Sequence, residues 1–283
     1  MRPTIAWPDG KKIACLITVA FEAFEKSGKY KHDPEVKVNF TALSHSHFGG
    51  RVGVWRLMEI FQHYDVKATF LVNGKAAELW PQAAKAIADA GHELAGYGYT
   101  SEIPAWTMTA ERQLEDIRRT RDLIQRSAGV KPVGWVSPGD VFTPHTLDLL
   151  AQEGFIWNGD PADDDNPYLV SVKGKRLCII PDLDCGDDFS AWEGGLMCGD
   201  DFFQGFQTTF DYLYQDALRG KSVMLAPLVH AELGGRPNIA YALTKMIRYA
   251  REFGDLVWFP TRRQVAEHCL KSGKTAETFH PAV

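Results

Sequence analysis

Between residues 11 and 154 of this 283-residue chain, short apolar runs alternate with segments whose apolar residues recur at helical spacing. The runs at 11–22 and 66–75 have the length of buried strands, and the segments at 52–65 and 109–129 have the period of helices. Strands that alternate with helices of this size form parallel βα units around one core. The pattern therefore predicts an α/β fold.

The alternation stops after residue 154 and returns near the C terminus. Acidic, glycine-rich loops with short strands follow residue 154, and the helix-and-strand pattern resumes with "FQTTFDYLYQDALRGKSVMLAPLVH". The chain contains no repeat and no low-complexity linker. We therefore predict a single domain over residues 1–283, with its loops gathered at the carboxyl ends of the strands.

Charge, hydropathy and cysteine content indicate which partners and which cellular compartment to expect for this protein. The net charge of −5 gives no basic surface for nucleic acid or anionic lipid. No run of about 18 apolar residues is present, and the N-terminal segment lacks the apolar stretch of a secretory signal. The five cysteines are odd in number, scattered, and not in CxxC spacing. We expect a cytoplasmic protein whose partner is a small molecule, with no nucleic acid and no membrane.

Several landmarks occur in an order that is similar to a known family. They include "ITVAFE", "GHELAGYGYTSE", "PVGWVSPGDVFTPHTLDLLAQEGF" and "LVHAELGGRPNIAYALTKMIRYAREFGDLVWF". Over roughly residues 10–270 the chain resembles the NodB-type polysaccharide deacetylase superfamily, and most closely its cytoplasmic branch of allantoinases and cyclic-imide hydrolases. The resemblance implies a distorted (β/α) barrel, related to the TIM barrel, with its pocket at the C-terminal ends of the strands. It also implies a homo-oligomer, as is frequent in that branch.

At most positions of the family's active site, this sequence has a different residue. The family uses an acidic pair on the first strand, a His-x-x-x-His pair for a divalent metal, an arginine before "SP" and a late histidine acid. The resemblance places Glu22 at the acidic pair, beside an alanine, and His230 at the late histidine. It places Tyr97 and Ser101 at the two metal-binding histidines, and Val136 at the arginine. A phenol and a hydroxyl are poor replacements for two imidazoles. We therefore expect no metal cofactor in the inherited position, with a divalent metal such as zinc as the alternative.

The residues that remain suit hydrolysis without a metal. A carboxylate that activates water can open a cyclic amide if other groups stabilise the oxyanion and protonate the leaving nitrogen. We expect Glu22 to be the general base and His230 the general acid. Tyr97 and Ser101 could be hydrogen-bond donors to the substrate, although Tyr97 could instead fill the former metal cavity. The predicted function is hydrolysis of a non-peptide carbon–nitrogen bond in a cyclic amide, imide or ureide.

Two more residues are candidates for binding substrate. Arg51 could grip a carboxylate or a carbonyl, and Trp192 could form a wall of the pocket. The loop "SHSHFGGR" carries His45 and His47, which could form a new metal site. Its further ligands could then come from "DLDCGDD", namely from Asp182, Asp184 or Cys185.

Other conspicuous polar residues favour structural roles. The acidic clusters at 163–165, 187–188 and 200–201 lack the register of a calcium loop, so we interpret them as helix N-termini. His92, in "GHE", is expected to be structural. Two functional alternatives stay open: a catalytically inactive binding protein on a deacetylase fold, and a deacetylase with a rebuilt metal site.

Overall fold

The computed structural model describes residues 5–26, 38–181, 187–189 and 199–278, and within them short strands alternate with helices. The strands are Ile13–Cys15 (β1), Thr18–Phe21 (β2), Thr69–Val72 (β3), Glu93–Gly96 (β4), Gly134–Trp135 (β5), Trp157–Asn158 (β6), Tyr168–Val172 (β7), Lys175–Ile179 (β8), Val223–Leu225 (β9), Leu228–His230 (β10), Val257–Trp258 (β11) and Glu277–Thr278 (β12).

The helices pack around these strands. They are Phe40–Phe48 (α1), Val54–His63 (α2), Gly74–Leu79 (α3), Pro81–Asp89 (α4), Ala110–Ala128 (α5), Thr146–Glu153 (α6), Gly199–Leu218 (α7), Ala231–Gly234 (α8), Pro237–Arg251 (α9) and Arg262–Lys271 (α10). None of the helices in the described ranges combines the length and the apolar character that a membrane crossing requires.

A curved, mostly parallel sheet forms the centre of the fold. Its strands are hydrogen-bonded in the order β10-β2-β3-β4-β5-β6-β8-β7-β12, and only the β7–β8 pair is antiparallel. An isolated parallel bridge joins Asp187 to Leu228 of β10, so the segment beyond β8 returns to the opposite edge of the sheet. A smaller sheet has the order β11-β1-β9, and its strands β1 and β9 directly precede β2 and β10 in the chain. The predicted distorted (β/α) barrel is confirmed.

Two apolar layers explain why these strands are continuous apolar runs. Val19 and Phe21 of β2 belong to the cluster that packs against the helices, whereas Ala20 belongs to a second cluster with Leu71 and Ala95. Successive side chains of a strand point to opposite faces. The strands of a parallel sheet covered by helices are buried on both faces, and β2, β3 and β4 are buried along their whole length. The second cluster therefore lies inside the barrel.

The helix ends follow their local sequence signals. The Thr109 hydroxyl accepts a hydrogen bond from the amide of Arg112 at the start of α5, and Gly129 ends this helix with a φ of 76°. At the start of α10, Thr261 forms a capping box with Gln264. The helix predicted at 109–129 is thus confirmed with its cap.

The predicted helix at 52–65 begins earlier and contains an irregular turn. Residues Gly49–Gly53 form a π-helical turn between α1 and α2. A Cβ on Gly53 would lie 1.8 Å from the carbonyl oxygen of Ala231, directly after β10. Glycine is required here because the two backbones touch. This contact fixes the helical segment against the end of the strand that carries His230.

Candidate functional site

The alternation of side chains along the strands brings three polar residues to one end of the barrel. Glu22 follows β2 and continues the inward-facing series of Thr18 and Ala20, and Asn73 follows β3 in the same way. His230 ends β10, paired in register with Ala20. Carboxyl ends of parallel strands meet at one edge, where ligand sites of barrels form. The pocket predicted at the strand C-terminal ends is therefore built from these residues.

Ser101 reaches the same point from the loop after β4. Its hydroxyl donates a hydrogen bond to Oε1 of Glu22 at 2.6 Å. Oδ1 of Asn73 lies 3.3 Å from the same hydroxyl. A hydrogen bond from a hydroxyl to a carboxylate at this distance is short and charge-assisted. The geometry brings together Glu22 and Ser101, two residues that the sequence predicted for the site.

Asn73 connects the three strand ends. It is fully buried, its Oδ1 accepts the amide proton of Ala23 at 3.0 Å, and its Nδ2 donates to the carbonyl oxygens of Tyr97 and Gly98. The residues that follow β2 and β4 are therefore held by one side chain at the end of β3. Sequence reasoning missed Asn73, although its inward position two residues after Leu71 was a usable signal.

His230 is oriented by a buried aspartate. The Nδ1 atom of His230 lies 2.7 Å from Oδ1 of Asp188, and the backbone amide of His230 donates to both carboxylate oxygens of Asp188 at 3.0 Å. Burial raises the pKa of Asp188, and the positive charge of a protonated His230 opposes this rise. The hydrogen bond assigns the ring proton to Nδ1, which leaves Nε2 directed towards Glu22.

Glu22 and His230 form a buried pair. Oε2 of Glu22 lies 3.8 Å from Nε2 of His230, and their side chains are 0% and 3% exposed. This separation is too long for a direct hydrogen bond and short enough for a strong electrostatic interaction when the imidazole is protonated. Both groups can reach one small functional group of a substrate. Proton transfer in either direction is the chemistry that such a pair supports.

The acidic cluster at 187–188 lies at a helix start, as predicted, and has a further role. Asp187 behaves as expected of a residue near a helix start, since its Oδ1 accepts the amide proton of Phe189 at 3.0 Å. Asp188 lies at the start of a helical segment, as the sequence predicted, but its carboxylate is turned inward to His230, which the sequence did not predict. The same prediction for 163–165 is wrong, because these residues lie in a bent segment that precedes β7 and not at a helix start. Asp188 and His230 lie 42 positions apart in the sequence, so no periodicity linked them.

Tyr97 lies inside the barrel. It is 4% exposed and belongs to the inner apolar cluster with Ala20, Leu71 and Val136. Its hydroxyl accepts a long hydrogen bond of 3.4 Å from the amide of Gly139. This packing favours the cavity-filling alternative for Tyr97, and a role in binding substrate stays a prediction.

Arg51 lies on the exposed side of the π-helical turn. It lines a surface cavity of about 440 Å³ with Phe40, His47 and Val52. Within the described ranges, no hydrogen bond or ion pair joins Arg51 to Glu22, and its role in binding substrate stays a prediction. Trp192, with Asp182, Asp184 and Cys185, lies outside the described residues.

The local geometry does not support the alternative of a metal site at His45 and His47. Both residues lie on α1 and not on a loop. Asn39 caps this helix by accepting the amide proton of Ala42. Side chains two positions apart on a helix point to nearly opposite sides, so they cannot share an ion. His47 instead packs edge-on against the ring of Trp80.

The family's divalent metal does not fit the residues found here. Ala23 has no ligand atom, and Ser101 directs its proton to Glu22. Asp187, Asp188 and His230 bring possible ligand atoms within 4.8 Å of one another. However, the 2.7 Å between His230 Nδ1 and Asp188 is a hydrogen-bond distance, whereas ligands about 2 Å from one ion lie roughly 3 Å or more apart. Among the described residues, this cluster orients a histidine.

His92 has the structural role that the sequence predicted. Its Nδ1 accepts the amide proton of Ala68 at 3.1 Å, and its ring packs against Phe61 and Phe70. Burial lowers the pKa of His92 to about 4, and the nearby charge of Lys67 adds to this effect. The ring is therefore neutral at physiological pH.

Comparison with known proteins agrees with this architecture. The sequence profile described as polysaccharide deacetylase matches residues 46–156. The peptidoglycan deacetylase of Helicobacter pylori (strain ATCC 700392 / 26695) is 25% identical over 261 aligned residues, which cover 81% of this chain and 87% of that protein.

Solved structures extend the similarity to almost the whole chain. The chain is 27% identical in sequence to PuuE allantoinase, whose crystal structure superposes with a TM-score of 0.85. The match covers 95% of this chain and 93% of that one. A probable polysaccharide deacetylase from Pseudomonas aeruginosa PAO1 is 28% identical with a TM-score of 0.85, and the match covers 94% of each chain. Fold and sequence together define a deacetylase-type (β/α) barrel. The chain is thus similar in sequence to polysaccharide deacetylases and in fold to a deacetylase and an allantoinase, which agrees with the resemblance to the NodB-type superfamily.

Proposed function

We propose that this protein opens a carbon–nitrogen bond in a small cyclic amide, imide or ureide, with Glu22 as general base and His230 as general acid and without a metal in the family's position. The broader class, a hydrolase of carbon–nitrogen bonds other than peptide bonds, is supported by the similarity to polysaccharide deacetylases and to an allantoinase. One observation carries the assignment of residues: the carboxylate and the imidazole face each other 3.8 Å apart in a buried site.

The pair supplies the two proton transfers that amide hydrolysis needs. An ionised Glu22 takes a proton from the attacking group, and a protonated His230 gives a proton from Nε2 to the leaving nitrogen. Asp188 stabilises the positive charge of the imidazole and fixes its orientation through Nδ1. The low exposure of both side chains strengthens these interactions, because little water screens them.

A cyclic substrate suits an acid–base site without a Lewis acid. Strained or activated cyclic amides and imides have more electrophilic carbonyl groups than an acetamide, so proton transfer and hydrogen bonding can suffice. The name of the similar PuuE allantoinase supports a ureide ring as the first candidate. Tyr97, Arg51 and Trp192 remain proposed contacts of this substrate.

A turnover screen with matched variants tests the proposal. The purified protein is incubated with succinimide, hydantoin, dihydrouracil and allantoin, and ring opening is followed by chromatography and mass spectrometry. We expect turnover of at least one ring, a loss of 10²-fold or more in Glu22→Gln, and a loss of ~10²–10⁴-fold in His230→Asn. Glu115→Gln, on the exposed side of α5, is the control and should keep the full rate.

The other outcomes point to the alternatives. Tight binding of a ring without turnover would indicate a catalytically inactive binding protein. Release of acetate from an acetamido sugar that stops on chelation would indicate a deacetylase with a rebuilt metal site. A cytoplasmic location and a homo-oligomer stay parts of the proposal.

A further inference from the structure

We propose that the nucleophile of this reaction is the hydroxyl of Ser101, which forms an acyl-enzyme with the opened substrate. This inference rests on the proposed function, because it assigns the atom from which Glu22 takes its proton. It replaces the expected role of Ser101 as a donor to the oxyanion. Three observations about Ser101 support it.

The first observation is the direction of the hydroxyl proton. Oγ of Ser101 contacts Oε1 of Glu22 at 2.6 Å and Oδ1 of Asn73 at 3.3 Å, and both of these atoms are acceptors. The amide of Asn73 is oriented this way because its Nδ2 donates to two backbone carbonyls. The single hydroxyl proton is therefore donated to Glu22, and it cannot also be donated to an oxyanion. The same arrangement, a hydroxyl bonded to a base, is that of an activated nucleophile.

The second observation is accessibility. The side chain of Glu22 is 0% exposed and that of His230 is 3% exposed, whereas Ser101 is partly exposed. A substrate that approaches from solvent therefore meets the serine hydroxyl before it meets the carboxylate. A base that activates a water molecule directly needs room for that water. Here the serine hydroxyl occupies the position on Oε1 that such a water would take.

The third observation is the rigid placement of Ser101. The residues on each side of it are tied to the segment that follows Glu22. The hydroxyl of Thr100 donates to the carbonyl oxygen of Ala23 at 3.3 Å, and the carboxylate of Glu102 accepts the amide protons of Glu25 and Lys26 at 2.7 and 2.8 Å. These contacts hold the hydroxyl against the base before substrate arrives, which is the preorganisation that nucleophilic catalysis requires.

The proton balance of the first half-reaction uses only groups of the site. Oγ of Ser101 bonds to the carbonyl carbon, its proton passes to Glu22, and the carbon–nitrogen bond breaks as Nε2 of His230 protonates the nitrogen. Glu22 is then protonated and His230 is neutral. The opened chain stays attached through an ester, and its nitrogen remains part of the same molecule because the substrate is a ring.

The second half-reaction restores every group. Water attacks the ester carbon and loses a proton to the now neutral Nε2 of His230. The bond from the carbon to Oγ breaks, and Oγ recovers its proton from Glu22. No oxidant, reductant or further reactant is needed. Each of the two titrating groups changes state once in each direction during the cycle.

Covalent labelling with 4-nitrophenyl acetate tests the inference without the natural substrate. The protein is mixed with the ester, quenched in acid, and measured by intact-protein and peptide mass spectrometry. We expect a burst of nitrophenolate of about one per chain and an acetyl group on Ser101. Ser101→Ala should abolish the adduct, and Glu22→Gln should slow its formation tenfold or more. The matched control is Ser127→Ala on α5, whose hydroxyl donates only to backbone carbonyls, and it should label normally.

The outcomes separate this inference from the proposed function, because ring opening is measured in parallel on the same preparations. Acetylation of Ser101 supports the nucleophile whether or not a cyclic amide is turned over. Absence of an adduct in the wild-type protein, or an adduct that persists in Ser101→Ala, overturns it. Ring opening in Ser101→Ala at more than a tenth of the wild-type rate also overturns it and leaves the roles of Glu22 and His230 intact.

Discussion

Replacing Asp188 by asparagine isolates the hydrogen bond that orients His230. The substitution keeps the shape of the side chain but removes its charge and replaces one accepting oxygen by a donating NH₂ group. In the structure that carboxylate is buried and accepts from both the ring and the backbone amide of His230. If the asparagine oxygen takes the position of Oδ1, it still accepts from both groups, but its NH₂ group then faces the backbone amide that Oδ2 accepted. If the NH₂ group takes the position of Oδ1, the contact with the ring is lost. Either way, the protonated imidazole loses its counter-charge.

The expected magnitude follows from this contact. A hydrogen bond to a charged group contributes about 1.5–3 kcal/mol, and each 1.36 kcal/mol changes a rate tenfold. Asp188→Asn should therefore lower kcat/KM by ~10- to 150-fold. Without the negative charge, the apparent pKa of the His230 ring should fall relative to the wild-type protein, since the charge of Asp188 favours its protonated form. The activity that depends on protonated His230 should then decline at a lower pH.

Two assays follow this change. Kinetics of ring opening over pH 5–9 report the activity, and NMR titration of the imidazole carbons reports protonation of His230 directly, without substrate. Asp122→Asn on α5 is the control, because its exposed carboxylate pairs with Arg121 and not with His230, and it should change kcat/KM less than threefold. An unchanged titration of His230 in Asp188→Asn, with kcat/KM within twofold of wild type, would refute the assigned role of Asp188.

Three further substitutions test other parts of the structure. Gly53→Ala should destabilise the protein by more than about 2 kcal/mol in urea unfolding, because its Cβ would overlap the carbonyl oxygen of Ala231. His92→Asn, which keeps an acceptor for the amide of Ala68, should flatten the dependence of the unfolding free energy on pH. Wild-type His92 stays neutral in the folded protein, so the unfolded chain binds a proton at this residue first as the pH falls from about 7 to 4. This lowers the unfolding free energy of the wild type by about 2–3 kcal/mol, a loss that the variant lacks. Tyr97→Phe should retain kcat/KM within about fivefold, because the ring is buried in an apolar cluster.

Each of these expectations has a result that contradicts it. A Gly53→Ala variant with wild-type stability would mean that the two backbones are not in contact. Equal slopes of unfolding free energy against pH for the wild type and His92→Asn would show that His92 is not held neutral. A 10²-fold loss in Tyr97→Phe, with the melting temperature unchanged, would restore the hydroxyl of Tyr97 as a donor to substrate.

The parts of the fold and site that carry periodic signals could be predicted from sequence. Glu22 and His230 end apolar strands, and the landmarks around them are regular enough to place both at one edge of the barrel. Asp188 lacked such a signal, because its contact with His230 depends on the return of its segment to β10.

Local sequence also misled at one point. Two histidines followed by two glycines were interpreted as a loop, yet residues 40–48 form a capped helix that continues through the π-helical turn. Helix propensity is weak compared with tertiary contacts, and here the glycines allow close packing against the turn that follows His230. The hydrogen bond from Ser101 to Glu22 likewise depends on a loop geometry that no single residue pattern specifies.

The rate of ring opening by metal-stripped protein, with residual metal quantified by elemental mass spectrometry, distinguishes hydrolysis by Glu22 and His230 from hydrolysis by a bound metal. If Glu22 and His230 carry out the proton transfers, the protein with far less than one metal per chain keeps its full rate, and Glu22→Gln loses it. A rate that falls in proportion to metal removal and returns on adding zinc would contradict these roles of Glu22 and His230.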